Sequence, residues 1–368
     1  MNYTEFLTIF ATAMLYRLIA SIRNSLYDKG TKPSFEAEVP TVCVGNITVG
    51  GTGKTPHTEM ILRMLLADDD WYGRNIAVLS RGYKRKSKGF QLVQIDSDAS
   101  LAGDEPLQIK KKFPVVTVAV DKDRIEGCRL LCHPEGDCPP ADLIILDDAF
   151  QYRKLRSRVN IILVDYNRPL AKDRFLPFGR LRDLPSRIGE ADIVIVTKCP
   201  YELMEDERAG FVSNLDLTGF DPATGLAVGK NGKRVVVLFT QVEYEKLNVL
   251  YPETDPRYGY SKQMILFSGI AKDGPLRAWL GATYKLVRRF SFPDHHRFSR
   301  SDMESIASAV KKFPVAGVVT TEKDAQRVLD CKYVPSAIRE RILYVPIRAE
   351  FLSEWEEALF RDTLKSLL

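Results

Sequence analysis

The octapeptide Thr48-Val49-Gly50-Gly51-Thr52-Gly53-Lys54-Thr55 constrains this chain more than any other stretch, because it follows a β-branched run ending Val44-Gly45-Asn46 and precedes a helical pattern over Pro56 to Leu66. Glycines there let successive backbone N–H groups turn inward around phosphate oxygens, and the helix start adds its positive end. Lys54 then reaches the terminal phosphates and Thr55 offers a hydroxyl to Mg²⁺, so Thr48 to Thr55 reads as the triphosphate cradle of a P-loop. Pro56 suits a first helical turn, where its missing N–H costs little. Thr48 departs from the consensus, which has a glycine at that place.

Such a cradle needs a metal-holding carboxylate at a neighbouring strand end. Leu143-Ile144-Ile145-Leu146-Asp147-Asp148 supplies four apolar residues and then two acids, the arrangement in which a carboxylate holds Mg²⁺ or its water at the carboxyl edge of a sheet. Alone, an aspartate pair after a strand is a helix cap or a solvated turn; after a P-loop, metal binding is the stronger reading. Guanine-specific P-loop proteins carry an Asn/Thr-Lys-x-Asp element after a later strand. Here that place reads Thr197-Lys198-Cys199-Pro200, and proline cannot accept the hydrogen bonds of the base edge, so ATP is the expected nucleotide.

Three further clusters fall where loops at the carboxyl ends of strands belong, the side on which ligands bind in such sheets. Ser80-Arg81-Gly82-Tyr83 opens a stretch with five basic residues between Arg81 and Lys88, able to neutralise phosphate on nucleotide or acceptor, or else simply a solvated loop. Gly103-Asp104-Glu105-Pro106 starts a helical pattern, so Asp104 is either an N-cap or a base that accepts a hydroxyl proton. Asp294-His295-His296 holds two of the four histidines, a set that can orient another acid or form a surface turn.

From residue 40 onward, short β-branched runs alternate with helical patterns: Pro40 to Val44, Asn75 to Leu79, Val115 to Ala119, Leu143 to Leu146, Ile161 to Val164 and Ile193 to Val196. They are apolar almost throughout, as strands covered on both faces are. The fold class expected is α/β, a P-loop NTPase-like, doubly wound, mostly parallel sheet with a smaller C-terminal α/β domain and an N-terminal amphipathic helix. A length of 368 residues, against roughly 150 per domain, fits that count. The divisions expected are a helix over 1–30, the nucleotide core over 31–228, a linker or insertion over 229–262 that contains a strand Val235 to Phe239 before a polar stretch, and the smaller domain over 263–368, with strands near Met264 to Phe267, Thr283 to Phe290, Val315 to Val319 and Ile342 to Val345.

The N-terminal stretch lacks a basic n-region and a small-residue cleavage pattern, so it is expected to be retained. Phe6 to Tyr16 is uncharged before Arg17 and Arg23 interrupt, too short to span a bilayer of about 20 apolar residues. A helix would place Glu5, Thr8, Thr12 and Arg23 toward one side and Phe6, Phe10, Ala13 and Met14 on another, with Arg17 and Lys29 available to anionic headgroups; it either lies in a membrane interface or docks on its own domain or a partner. With 53 basic against 48 acidic residues, the net charge of +5 is too slight for wholesale nucleic-acid binding. Six scattered cysteines fit a reducing cytoplasm, and Cys128, Cys132, His133 and Cys138 lack the paired C-x2-C spacing of zinc sites, so a helix end and loop is expected there.

Taken together, these residues resemble the tetraacyldisaccharide 4'-kinase family, the P-loop kinases of lipid A biosynthesis. The resemblance runs over nearly the whole chain, through Gly45-Asn46-Ile47 and the loop to Pro56, Ser80 to Tyr83, Gly103 to Pro106, Leu146-Asp147-Asp148 through Gln151, Leu176-Pro177 with Gly179 and Leu181-Arg182, Asp294 to His296, and Thr321-Glu322-Lys323-Asp324-Ala325. It accounts for Thr48, since similar loops begin G-N-x-[ST]-V-G-G. It implies transfer of the ATP γ-phosphoryl group to the 4'-hydroxyl of a tetraacylated glucosamine disaccharide 1-phosphate, giving lipid IVA, by an enzyme peripheral to the cytoplasmic face of the inner membrane. By the same resemblance, Asp104 is the general base with His295 as its dyad partner, Lys54 and Thr55 hold phosphates and Mg²⁺, Glu105, Asp147 and Asp148 surround the metal, and Arg81 and Arg182 meet the anionic acceptor. Ala149 and Tyr152 replace the glycine and histidine of the family's D-D-G-[FL]-Q-H, so that histidine's role does not carry over, and Gly229 to Lys262 is longer than the family's linker. The competing class is a partition-type or targeting NTPase, whose signature lysine would occupy Val49.

Overall fold

The fold is taken from a computed structural model that describes residues 3–368, with side chains from residue 11 onward. Seven parallel strands form the centre of a large sheet, in the spatial order Arg234–Tyr244, Ile193–Thr197, Val159–Asp165, Thr41–Gly45, Leu143–Asp147, Ile76–Ser80 and Thr117–Val120. Short antiparallel strands at both margins bring the sheet to eleven. The alternation within each strand explains its apolar run. Cys43, Ala77, Ile144, Ile162 and Val194 pack into the core on one face, while their neighbours Val42, Val78, Ile145, Ile161 and Ile195 pack into the core on the other. With period-2 side chains and both faces covered, neither set can be polar. From Thr41–Gly45 the chain builds outward to one side first and to the other after Val159–Asp165, so the glycine-rich loop leaves the sheet at its switch point, where such folds open a ligand crevice.

A second sheet of five strands, in the order Asn248–Val249, Ile342–Val345, Gly317–Thr321, Gln263–Ser268 and Lys285–Ser291, is parallel except for the first. Two expected divisions differ from this arrangement. Residues 229–262 are not an insertion: Arg234–Tyr244 is the longest strand of the large sheet, and Asn248–Val249 already pairs in the small one. The apolar run Val235-Val236-Val237-Leu238-Phe239, fully buried, is what draws that segment into the large sheet. Likewise 263–368 is not wholly the smaller domain, because Ile347–Phe351 returns to pair with Arg234–Tyr244 and helix Glu354–Leu367 covers it, burying Phe360 and Leu364. The chain therefore crosses between the sheets more than once.

The N-terminal helix, Tyr3–Asp28, both docks and exposes apolar surface. Tyr16 donates to Arg182 O at 3.0 Å, Asn24 donates to Asp183 Oδ1 at 2.7 Å, and Arg23 sits 3.6 Å from the same carboxylate. Met14, Leu15, Leu18, Ile19 and Ile22 form the opposite stripe, each more than half exposed. Arg23 thus faces the domain, where buried Asp183 provides its counter-charge. The expected placements of Glu5, Phe6, Thr8 and Phe10 lie outside the described side chains. No helix among the described residues is long and apolar enough to cross a membrane.

Candidate active site

The glycine-rich loop is held from outside by three donors. Lys198 Nζ donates to Gly51 O, Thr197 Oγ1 to Thr52 O at 2.9 Å, and His57 Nδ1 to Gly53 O at 2.7 Å. Because the ring nitrogen facing a carbonyl must carry the proton, Nε2 of His57 is the acceptor from Thr240 Oγ1 at 2.9 Å, which ties the loop to the long strand beside it. Burial pulls the His57 pKa down to about 4, so the ring is neutral at physiological pH. Gly53 precedes helix Lys54–Leu66 with φ 92°, a conformation that costs a residue with a Cβ but not glycine. Val49, read as a phosphate binder from sequence, instead spends its N–H on the 174–182 segment: it donates to Arg180 O at 2.7 Å, beside the point where Thr48 bridges Leu181.

Facing the loop, Asp147 ends its strand and Asp148 follows with φ 53°, one of four non-glycine residues in the left-handed region at this edge, with Lys84, Lys198 and His295. Such backbone is sparsely populated and gathers where a site over-determines it. Asp147 Oδ2 accepts from Ser80 Oγ at 3.1 Å, whereas its Oδ1 is buried without a partner. Burial, then the neighbouring Glu105 and Asp148 charges, push the Asp147 carboxyl up to about 7 against the opposing pull of Lys54 and Ser80. Asp148 goes the other way. Burial raises it, but Lys54 and the Arg182 guanidinium outweigh burial and keep it low. Lys54 Nζ is 3.7 Å from Asp148 Oδ2. Arg182, expected to meet the acceptor, is committed inside the site: it pairs with both oxygens of Asp148 and donates to Asn46 O at 3.2 Å and to Asn46 Oδ1. Buried Arg124 also acts on the two aspartates, a contributor that nothing in its sequence context marked.

Helix Asp104–Lys112 joins these groups to the small sheet. Its N-cap is Gly103, at φ 89° and packed so closely that a Cβ would lie 3.0 Å from Tyr83 O, so the two loop clusters of the sequence are one structure here. Asp104 is therefore the first helical residue rather than the cap. Its Oδ2 accepts from Arg327 Nε at 3.0 Å and lies 3.6 Å from His295 Nδ1. Burial raises the Asp104 carboxyl, yet His295, Arg327 and Lys323 together bring it down to about 2, so it is ionised at neutral pH. Glu105 pairs with Lys323 at 3.0 Å, and farther along the helix Lys112 links Glu59 of the loop helix (2.8 Å) to Glu322 (3.0 Å). His296, by contrast, lies 2.9 Å from Asp302, the acid of the capping box that starts helix Arg300–Lys312, a structural role. Arg81 is exposed at the mouth, and Tyr83 sets its ring edge against His295 with centroids 5.8 Å apart.

Sequence reasoning missed Arg327, His57, the donor role of Lys198 and the pairing of Lys323 with Glu105. For Arg327 the only signal was its spacing of three from Asp324, which puts both on one helix face. The cysteine cluster resolves as expected, with Cys128 and Cys132 buried on a helix that ends at His133, which pairs with exposed Glu38. Among the described residues no group of three or more His, Cys, Asp or Glu side chains closes around a metal.

A family model described as tetraacyldisaccharide-1-P 4'-kinase matches residues 5–367. The tetraacyldisaccharide 4'-kinase of Phocaeicola vulgatus is 36% identical over 362 residues, covering 97% of this chain and 93% of that one. The protein of the same name in Flavobacterium johnsoniae is 38% identical over 348 residues, covering 94% and 92%. A solved structure of LpxK from Aquifex aeolicus in complex with ATP superposes with a TM-score of 0.69 at 26% identity, covering 98% of both chains.

Proposed function

The chain belongs to the tetraacyldisaccharide 4'-kinase family, and from that membership we infer that its cleft transfers the γ-phosphoryl group of ATP to the 4'-hydroxyl of a tetraacylated disaccharide 1-phosphate, giving lipid IVA. ATP is the donor, in keeping with the ATP-bound structural relative. The relatives carry the kinase name and lend nothing to the partition-type alternative.

One observation carries the residue assignments: a single helix start places Asp104 against Arg327 and His295 while its neighbour Glu105 acts electrostatically on Asp147. Base and phosphate machinery thus share one cleft. In our reading Gly50, Gly51, Thr52, Gly53, Lys54 and Thr55 form the P-loop around the triphosphate, Lys54 carrying charge to its end. Asp104 accepts the hydroxyl proton as the new O–P bond forms and ADP departs, a step that asks for positioning and charge neutralisation more than covalent help. Arg81, exposed and at the mouth, is the residue left to meet acceptor phosphate. Mg²⁺ fits the carboxylates present, since the free, buried Oδ1 of Asp147 is an anionic ligand lacking a partner and Mg²⁺ takes few protein ligands, keeping waters and substrate phosphates. Asp147 and Thr55 would hold it directly, with Glu105 and Asp148 near, and its charge would there help neutralise the phosphate being transferred. The test is incubation with radiolabelled ATP, Mg²⁺ and total lipid from lipid-A-producing cells. Label in a lipid acceptor is expected, and label released only as inorganic phosphate would favour the ATPase alternative.

An acylated acceptor comes from a bilayer, and the exposed stripe Met14, Leu15, Leu18, Ile19 and Ile22 supports peripheral attachment to one; the cytoplasmic face of the inner membrane follows from the family reading. Leu15→Glu combined with Ile19→Glu leaves the docking side intact. We expect co-sedimentation with anionic vesicles to fall at least about tenfold, from the loss of two side chains each worth roughly 1.5 kcal/mol or more when buried, with an unchanged melting temperature. Undiminished sedimentation would remove the helix as the anchor.

A further inference from the structure

His57 lies on the loop helix Lys54–Leu66, is only 2% exposed, and has both ring nitrogens engaged. Nδ1 is 2.7 Å from Gly53 O and Nε2 is 2.9 Å from Thr240 Oγ1, while the other acceptor near that hydroxyl, Val196 O, is 3.5 Å away, at the limit of a hydrogen bond. A carbonyl cannot donate, so the ring proton sits on Nδ1 and the hydroxyl gives its own to Nε2. The ring also packs on the loop itself: a Cβ on Gly53 would lie 3.4 Å from Nδ1 and 3.5 Å from Cε1.

We propose that His57 is a positioning residue of the triphosphate cradle: its Nδ1–H fixes the peptide between Gly53 and Lys54, and Thr240 fixes the ring that does so. The inference rests on the loop being the ATP site and adds to that site a residue outside the glycine-rich stretch.

The C=O and N–H of a trans peptide point opposite ways, so a carbonyl held on the outside of the loop turns the next residue's N–H to the inside. Three successive carbonyls are held in this way: Gly51 O by Lys198 Nζ, Thr52 O by Thr197 Oγ1 at 2.9 Å and Gly53 O by His57. The Thr52 N–H is spent on Gly50 O at 3.0 Å, which leaves the N–H groups of Gly53 and Lys54 as those that the clamps aim. No side chain caps the helix, so its first-turn donors stay available to phosphate. The His57 clamp acts where the backbone is least restrained. Gly53 sits at φ 92°, and among the described residues its carbonyl otherwise receives only the backbone N–H of His57, at 3.2 Å. Glycine turns freely, and the ring supplies the restraint that a missing side chain does not. The far end is firm. Thr240 is fully buried where the long strand, paired with Ile193–Thr197 up to Phe239, takes Ile347–Phe351 as its partner, and its own carbonyl accepts from the Cys199 N–H at 2.9 Å. N–H groups aimed in advance reduce the ordering that ATP must impose when it binds.

The experiment titrates the full chain and its variants with ATP and Mg²⁺ by calorimetry, beside histidine ¹⁵N NMR of the wild type. The amide nitrogen of asparagine overlays Nδ1 and the terminal group of glutamine overlays Nε2, so these two replacements separate the ends of the ring. His57→Leu should weaken ATP binding about tenfold, the order of one hydrogen bond lost with its partner left buried. His57→Asn should stay within about threefold of the wild type, and His57→Gln should bind as poorly as His57→Leu. In the wild-type spectrum Nδ1 of His57 should be the protonated nitrogen and Nε2 the bare one. Wild-type affinity in His57→Leu, equal affinities for His57→Asn and His57→Gln, or a protonated Nε2 overturns the proposal. So does a fall in melting temperature without a fall in affinity, which is what a core histidine with no part in the loop gives. If His57→Leu does not fold, the other two variants and the spectrum decide the matter. Lys54→Met separates this from the loop assignment: undiminished ATP binding there sinks the loop as the ATP site, whereas weakened binding in Lys54→Met beside normal binding in His57→Leu sinks only His57.

Discussion

Asp104→Asn should lower kcat by about 10²–10⁴-fold, the span that general bases contribute, with KM for ATP nearly unchanged. Asparagine keeps the shape and can still accept from Arg327 Nε, but it cannot take a proton from the acceptor hydroxyl. The low pKa of about 2 sets how the wild-type base operates: Asp104 is ionised across the whole physiological range, so it takes its proton only as the hydroxyl acidifies in the transition state. Position therefore matters more than basicity. That is why the residue is held by a buried arginine from the other sheet rather than left on a solvated loop. The check is steady-state kinetics with ATP and the acceptor varied separately. Unimpaired kcat would leave Asp104 as a helix-start residue and nothing more.

The parts of this site that sequence disclosed are those whose chemistry is local. The loop from Gly50 to Thr55 declares itself because glycine spacing, lysine and helix start are contiguous, and Asp147 because an apolar strand points to it. The long parallel strands were legible for a similar reason: burial on both faces leaves an uninterrupted apolar run, and Leu143–Asp147 and Ile193–Thr197 differ from their expected bounds by one residue. What stayed hidden is held together by tertiary contact. Arg327 lies 223 positions from Asp104, and no pattern in either segment names the other. Arg182 was expected at the acceptor through the family resemblance alone, and only the fold reveals Asp148 and Asn46 already filling its fork. The same holds for 229–262: the apolar run Val235 to Phe239 reads as a strand, but nothing local says that it pairs with Ile193–Thr197 in the large sheet.

Asp147→Asn should combine the second large loss of activity with the loss of a pH-dependent slope in stability. Among the acids of the site, Asp147 is the one with a buried oxygen lacking any partner, whereas Asp148 and Glu105 are neutralised by Arg182 and Lys323. Replacing that anionic oxygen with an amide removes the best ligand for Mg²⁺, and the metal's share of transition-state stabilisation is several kcal/mol, so kcat should fall by about 10³-fold. Without nucleotide and metal, the same carboxylate is a liability. Its pKa is about 7 in the folded chain against 3.8 for the ordinary group, so between those values the native state holds a proton that the unfolded chain releases. Stability of the free enzyme must then fall as pH rises from about 4 to 7, by at most about 4 kcal/mol, and hold level above. Asparagine does not titrate, so the variant should lack that slope even if its amide, beside a place without an acceptor, lowers the whole curve. Melting temperatures of both proteins from pH 4 to pH 8, with and without Mg²⁺ and ATP, give the answer. The wild type should lose stability with pH only in their absence, and parallel curves for the two proteins would mean that the Asp147 proton, and with it the case for Asp147 as a cation ligand, is not there.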